Sequence, residues 1–423
     1  MTASDVYFEP WDPACREDLF ERYERLLERA PVYQAPSGTW VVSSYNGVEF
    51  MMTRPDLFTN FPNQQETMGF PPKIDPSSPE AQKLIQTLQK AAEGIKLDFA
   101  ELFTARVIVG MDPPEHTRHR TLVNRGFTSR RIESLRPRIQ DIVEQNMRAV
   151  RSKEGFDLLQ ELAVPLPVQV IAELFSVDPA QYENIKRWSD ELATLAESAG
   201  RESTANMIGL ITMLKEFSDY FVPLIQARRE NPSDDLLSNL LKADGASVMS
   251  TTETVLFLLV VLAAGNETTT TLIGNTVVSL LRNRDQLELV VADPDLVVGA
   301  LEESLRFEAP FQFMFKAPYE DVEIEGVRIP AGGLIAMMIG AANRDPSRFT
   351  NPNRFDITRT TPHLGFGKGT HFCLGSALAR MEAQIALRAL VPELPNLELD
   401  ETSLKQSPSL LIRGYSEINV TRR

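Results

Sequence analysis

Cysteine is nearly absent: the 423 residues hold two, Cys15 and Cys373. Two cysteines cannot build a disulfide framework, which fits a reducing compartment. Positive charge is also scarce. Lys and Arg number 43 against 58 Asp and Glu, a formal net charge of −15. Nucleic-acid binding needs a basic footprint, so no nucleic-acid partner is expected. No uninterrupted apolar run approaches the ~20 residues of a membrane span. The first residues, Met1-Thr-Ala-Ser-Asp-Val-Tyr-Phe-Glu-Pro, have neither the basic nor the apolar part of a secretory signal. The expectation is a cytoplasmic protein without membrane attachment. No repeat, Gly/Ser linker or break in composition divides the chain, so residues 1–423 read as a single domain.

What the sequence does have is concentrated near the C-terminal end. Phe366 to Gly375 reads Phe-Gly-Lys-Gly-Thr-His-Phe-Cys-Leu-Gly. Gly365, Gly367 and Gly369 alternate there, so the stretch is a loop and not a strand or helix. From Leu374 to Leu390 the residues are good helix formers with a 3.6-residue apolar stripe. Cys373 therefore sits at a helix N-terminus, where free amides favour an anion and lower a thiol's pKa. A thiolate so placed is a soft, strong ligand for iron. Two plainer readings compete. One is a buried cysteine in a tight turn. The other is a phosphate-cradling turn, but Thr361-Pro-His is no strand and no Lys-Ser/Thr pair closes the loop.

The second unusual stretch is a long helix. Ser250-Thr-Thr-Glu253 is a capping box. The chain then runs apolar from Val255 through Ala264, polar through Gly265-Asn-Glu-Thr-Thr-Thr-Thr271, and apolar again to Leu281. Unbroken to Arg282, it is about 48 Å long. A helix apolar all round is buried. Glycine and threonines at its centre conflict with helix propensity, and such conflicts mark functional sites.

Elsewhere the coarse reading is α-rich with a small sheet. Helices are predicted at Arg16–Arg29, Tyr45–Thr53, Ile132–Lys153, Leu166–Leu174, Pro179–Ala199, Thr204–Glu230, Leu236–Ala243 and Val298–Phe307. Hairpins are predicted across Pro36-Ser-Gly38 and within Asp321–Gly332. Phe58–Leu102 reads as irregular with one helical patch, Glu80–Ala92. Asp112 is expected to cap the next helix. Phe311–Lys316 alternates, so Gln312, Met314 and Lys316 should share one side of a strand.

These stretches resemble the cytochrome P450 superfamily over nearly the whole chain. Phe366, Gly367, Gly369, His371, Cys373 and Gly375 match its haem-binding loop position for position. Ala264-Gly-Asn-Glu-Thr-Thr269 resembles its oxygen-activation motif. Glu303-x-x-Arg306 and Asp112-Pro-Pro-Glu-His-Thr-Arg-His-Arg120 match two further blocks. The resemblance implies a mainly α fold with a small β-rich region and the long helix over the haem. It makes Cys373 the proximal ligand of haem b iron. Ala264 and Gly265 leave room for O₂, and Glu267 and Thr268 carry protons to it. His116, Arg120, Lys316 and His363 are implied as donors to the haem propionates. The family usually has arginine where Lys316 stands. Glu303 and Arg306 are implied to form a buried structural trio, with Arg354 as the third member. Val260, Ala263, Gln312, Met314, Leu410 and Leu411 are placed near substrate.

The implied activity is monooxygenation: one atom of O₂ enters an apolar organic substrate by hydroxylation or epoxidation. Electrons come ultimately from NAD(P)H through a ferredoxin or flavodoxin and its reductase, since 423 residues leave no room for a fused one. Lys368, Arg118, Arg125, Arg130 and Arg131 are expected to dock that partner. A monomer active in secondary metabolism is expected. A peroxide-driven or rearranging haem-thiolate enzyme and a non-catalytic haem protein are the alternatives.

Overall fold

The computed structural model describes residues 6–68, 75, 77–197, 204–233, 235–242 and 249–423. The chain folds as two compact units interleaved along the sequence. One comprises Met1–Phe58, Ile132–Val170 and Gly265–Arg423; the other comprises Thr59–Arg131 and Ile171–Ala264.

The first unit is built around a mixed sheet. Val32–Gln34 pairs antiparallel with Trp40–Val42, which runs parallel to Ile335–Met337. Met314–Pro318 pairs antiparallel with the other side of Ile335–Met337, Met314 opposite Met337, and the short strand Phe58–Thr59 forms the edge beyond it. Successive strand residues point to opposite faces, and the sequence fills both with apolar groups. Val42, Ile335 and Met337 join one core with Tyr45, Val48 and Phe349. Val41, Ala336 and Phe315 join another with Tyr23, Leu26 and Phe313. A second sheet pairs Asn419–Arg422 with both Gly155–Asp157 and Leu397–Leu399. The hairpin of Val322–Ile324 with Val327–Ile329 falls where it was predicted. Helices Arg136–Arg151, Val297–Phe307 and Ser376–Leu390 pack in the same unit.

One buried group in this unit gives a pH signature. Glu382, on helix Ser376–Leu390, is 3% exposed and its Oε2 has no hydrogen-bond partner. Burial raises its carboxyl from 4.5 to about 8. Between those values the folded chain holds a proton that the unfolded chain releases, so stability falls as pH rises. The slope approaches ~1.4 kcal/mol per pH unit. Glu382→Gln removes this loss. The variant's melting temperature should therefore fall less than the parent's between pH 5.5 and 8. Parallel curves for the two proteins would contradict the assignment.

The second unit is helical. Trp188 on Tyr182–Glu197 stacks edge-on at 5.2 Å from Phe217 on Thr204–Glu230, beside Tyr220 and Phe221. Leu88, Ala92 and Ile211 form a small core nearby. Among its described residues, the stretch read as irregular contains the helices Phe61–Met68, Pro79–Ala91 and Phe99–Thr104. Asp98 caps the last, accepting from the Ala100 and Glu101 amides. The break expected at Gly200–Thr204 lies outside the described residues apart from Thr204, which opens its helix.

The capping box forms. The Ser250 amide donates to Glu253 Oε2 at 2.8 Å, and the Glu253 amide to Ser250 Oγ at 2.9 Å. The helix it opens, Thr251–Arg282, runs unbroken through Gly265, where it passes from one unit into the other. By length and composition alone this helix is long and apolar enough to cross a membrane. Half of its most apolar window is buried inside the protein, as a core helix requires.

Candidate active site

The Cys373 loop is held by its own backbone. The Gly367 amide donates to Leu364 O at 2.8 Å, and the Cys373 amide to Phe366 O at 2.9 Å. Gly367 and Gly369 adopt φ of 69° and 72°. A Cβ on Gly369 would lie 2.6 Å from the Met52 carbonyl. Gly369→Ala thus meets both a left-handed backbone, costing ~1–2 kcal/mol, and a backbone clash. A lower melting temperature is expected; an unchanged one would mean the loop relaxes freely. Cys373 is half-buried. The helix beyond it begins later than expected, at Ser376, with Gly375 as its cap. Cys373 therefore lies just ahead of the helix, and the loop positions it as much as the helix end does. His371 closes a single 3-10 turn, Gly369–His371.

Behind the loop lies a buried ion cluster. Arg306 donates to both carboxylate oxygens of Glu303, at 2.8 and 2.7 Å. Its other hydrogens reach the carbonyls of Asn343, Pro352 and Arg354. The second arginine is Arg359, whose Nε lies 3.2 Å from Glu303. Arg354 is not the third member. Its side chain is 62% exposed and faces Asp285 at 3.7 Å. The turn at Asp356–Arg359 returns the chain inward, so Asp356 N–H and Arg359 reach Glu303 and the Arg354 side chain does not.

Sequence reasoning missed Asn343. It is fully buried, its carbonyl accepts from Arg306, and its Oδ1 accepts the Leu364 amide at 2.7 Å. One residue thus couples the ion cluster to the start of the cysteine loop. The sequence signal is weak: Asn343 is the first polar residue after the apolar run Leu334–Ala342 and is followed at once by Arg344 and Asp345.

The long helix is less buried around its middle than in the stretch that follows. Ala264 is exposed, and Val260, Ala263, Gly265, Glu267 and Thr268 are half-buried, whereas every residue from 271 to 280 is buried. Lys316 is buried on strand Met314–Pro318, and Met314 is half-buried at the start of that strand. In the helical unit, His116 is buried and Arg120 half-buried on one face of Glu115–Asn124. His119 on that helix bonds Glu253 at 3.1 Å and holds its carboxyl below the usual range. Asp112 does not cap this helix. Its carboxylate accepts from Thr59 and Asn60 instead, and Pro114 takes the cap position.

Three further expectations change. Gln312 is buried with its amide engaged, by the Tyr23 hydroxyl at 2.9 Å and by Ala309 O, and it borders the small cavity beside Cys15; the regular strand begins only at Met314. Leu411 belongs to the core with Phe8 and Tyr23, while Leu410 lines a small cavity beside Cys15. His363 has both ring nitrogens engaged, Nδ1 by the Gly365 amide and Nε2 by Glu302, so it is not turned toward a propionate. Of the basic residues expected at a docking face, Lys368 pairs with Glu49, and Arg118 lies 3.5 Å from Glu253.

Comparison with known proteins supplies the rest. The cytochrome P450 family pattern matches residues 77–413. Cytochrome P450 107B1 of Saccharopolyspora erythraea is 36% identical, with 97% of this chain and 96% of that protein aligned. The 6-deoxyerythronolide B hydroxylase of the same organism is 40% identical over 95% of this chain and 96% of its own length. The structure of cytochrome P450 CYP109Q5 from Chondromyces apiculatus superimposes with a TM-score of 0.84 at 33% identity, covering 99% of this chain and 98% of that one. A cysteine loop built this way, a long helix less buried around its middle and full-length similarity to bacterial relatives agree: the chain belongs to the cytochrome P450 family and is a haem-dependent monooxygenase of the bacterial type.

Proposed function

We propose that Cys373 ligates haem iron and that Glu267 and Thr268 deliver protons during oxygen insertion into a large, carbon-rich substrate. The loop carries this reading: two left-handed glycines, with Gly369 packed on the Met52 backbone and the Cys373 amide tied to Phe366 O, present one sulfur in a fixed direction. A single soft thiolate suits iron that brings its own equatorial nitrogens. Buried Lys316 and His116 supply donors suited to carboxylates. When bound, haem b supplies O₂ binding and its reductive activation, with one oxygen atom going to substrate and one to water.

The chain's own residues do the rest. Cys373 contributes an anionic donor. Lys316, His116 and Arg120 would hold the propionates by charge and hydrogen bonding, Lys316 without the planar fork an arginine would bring. Ala264 and Gly265 keep the helix face small. Thr268 holds a water and passes its proton. Glu267, half-buried, exchanges protons with solvent. Glu267→Gln is expected to slow turnover roughly 10²-fold, with the haem spectrum unchanged. Thr268→Ala should lower product formed per reductant consumed. Unchanged turnover and coupling in both would remove these residues from the proton path.

Electrons are assigned to a separate ferredoxin or flavodoxin, with the whole chain acting as one cytoplasmic, monomeric catalytic domain. Exposed Arg130 is the cleanest probe of partner charge. Arg130→Glu should slow reduction by an acidic ferredoxin and flatten its salt dependence. The relative named for hydroxylating 6-deoxyerythronolide B makes a macrolactone the first substrate class to test. Titration with a macrolactone, watching the haem spin state, is the assay; no spectral change up to its solubility limit would exclude that class.

A further inference from the structure

Two adjacent glutamates on helix Val297–Phe307 do different work. Glu303 turns into the buried arginine cluster. Glu302 turns to the cysteine loop. Its Oε1 accepts from Arg380 Nε at 2.7 Å and its Oε2 from Arg380 Nη2 at 2.8 Å. Oε2 also lies 3.1 Å from His363 Nε2. The Gly365 amide donates to His363 Nδ1 at 3.0 Å, so the ring proton belongs on Nε2 and is donated to Glu302. Arg380, from helix Ser376–Leu390, places its guanidinium 4.4 Å over the Phe366 ring. The His363 ring also lies near Phe366, 6.4 Å centre to centre and tilted. The Phe366 carbonyl in turn accepts the Cys373 amide.

We propose that Glu302, Arg380 and His363 form a positioning relay that fixes Phe366 and, through its carbonyl, tunes the electronic environment of the Cys373 thiolate. The inference rests on the reading of Cys373 as the iron ligand. The geometry is specific: a two-pronged arginine–carboxylate pair is directional as well as charged, and a guanidinium over a ring face orients that ring. Burial alone would raise the Glu302 carboxyl, but Arg380 first and His363 second hold it down at about 2. The pair is therefore fully ionised at any working pH, and the two charges offset each other beside the loop. Groups around a metal's ligands set its potential through charge and hydrogen bonding.

This offset makes opposite predictions for the two partners. In Glu302→Gln the arginine cation is left uncompensated, which favours the more negative, reduced state, so the haem reduction potential rises. In Arg380→Gln the carboxylate is left, and the potential falls. The double variant lies between them. Arg380→Lys keeps the charge but loses the fork and the flat stack, so its potential stays near the parent while its thiolate-type carbon monoxide band is lost sooner on mild heating. Redox titration of the holoenzymes gives the potentials, and the carbon monoxide spectrum shows whether each variant keeps thiolate ligation. Single-variant shifts of the same sign, or no shift with the thiolate band intact, overturn the relay. If a glutamine variant takes up no haem, Glu302→Asp and Arg380→Lys replace it. Both keep their charge, so each should hold its potential near the parent's and lose the thiolate-type band sooner on mild heating, and a band as heat-stable as the parent's in both overturns the relay. A parent enzyme without the thiolate band overturns the reading of Cys373 and the relay with it.

Discussion

Arg306→Leu is expected to yield little or no folded, haem-loaded protein. Arg306 and Glu303 are each 1% exposed by side chain. Removing the arginine strips Glu303 of its two-pronged partner inside the protein. Breaking a buried pair in this way costs ~3–5 kcal/mol, because the remaining charge is desolvated and uncompensated. Three carbonyls, of Asn343, Pro352 and Arg354, also lose their donor. The buried Asn343 carbonyl left without that donor adds ~1–3 kcal/mol, and the two part-buried ones add less. The sum is comparable to the ~5–15 kcal/mol that holds a whole domain together. Arg359 and the Asp356 amide remain on Glu303 and offset only part of it. Soluble yield and haem absorbance per unit protein are the readouts.

The neighbouring arginines sharpen this test. Arg359→Ala should be strongly destabilising, because its side chain is 10% exposed against a buried carboxylate. Arg354→Ala should cost no more than ~0.5 kcal/mol, as surface changes generally do. Equal losses from the two would contradict the placement of Arg359 in the cluster.

The second large effect is chemical. Cys373→His should abolish monooxygenase turnover while leaving the fold intact. The Cys373 amide bonds Phe366 O and its carbonyl accepts from the Ser376 amide, backbone ties that histidine retains. What is lost is the anionic sulfur, whose electron donation favours O–O cleavage. The expected result is a melting temperature near the parent's, with turnover below detection. Retained turnover would remove Cys373 from the chemistry.

The parts of this protein that were legible in sequence are those with strong local signals. The helices Tyr45–Thr53 and Thr204–Glu230 and the capping box at Ser250 stand where apolar periodicity and capping residues put them. Phe61–Met68 and Phe99–Thr104 are too short for periodicity to show, and prolines in and after the first obscured it. The Asp98 cap was the readable clue to the second. Gln312 was misplaced because alternation was extended through Phe311, which makes only an isolated bridge to Ile412. In the site, the cysteine loop and the Glu303–Arg306 pair follow from motif spacing. The choice between Arg354 and Arg359 does not, because an intervening turn decides which side chain faces inward. Asn343 and the Glu302–Arg380–Phe366 chain are tertiary. Their members lie far apart in sequence and meet only once the helices pack.

The most direct test of the central claim is the absorbance spectrum of the purified, reduced protein under carbon monoxide. A Soret band displaced far to the red, as thiolate ligation produces, is the result expected with Cys373 on the iron. A band at the ordinary histidine-ligated position, in fresh parent enzyme at neutral pH, would contradict it.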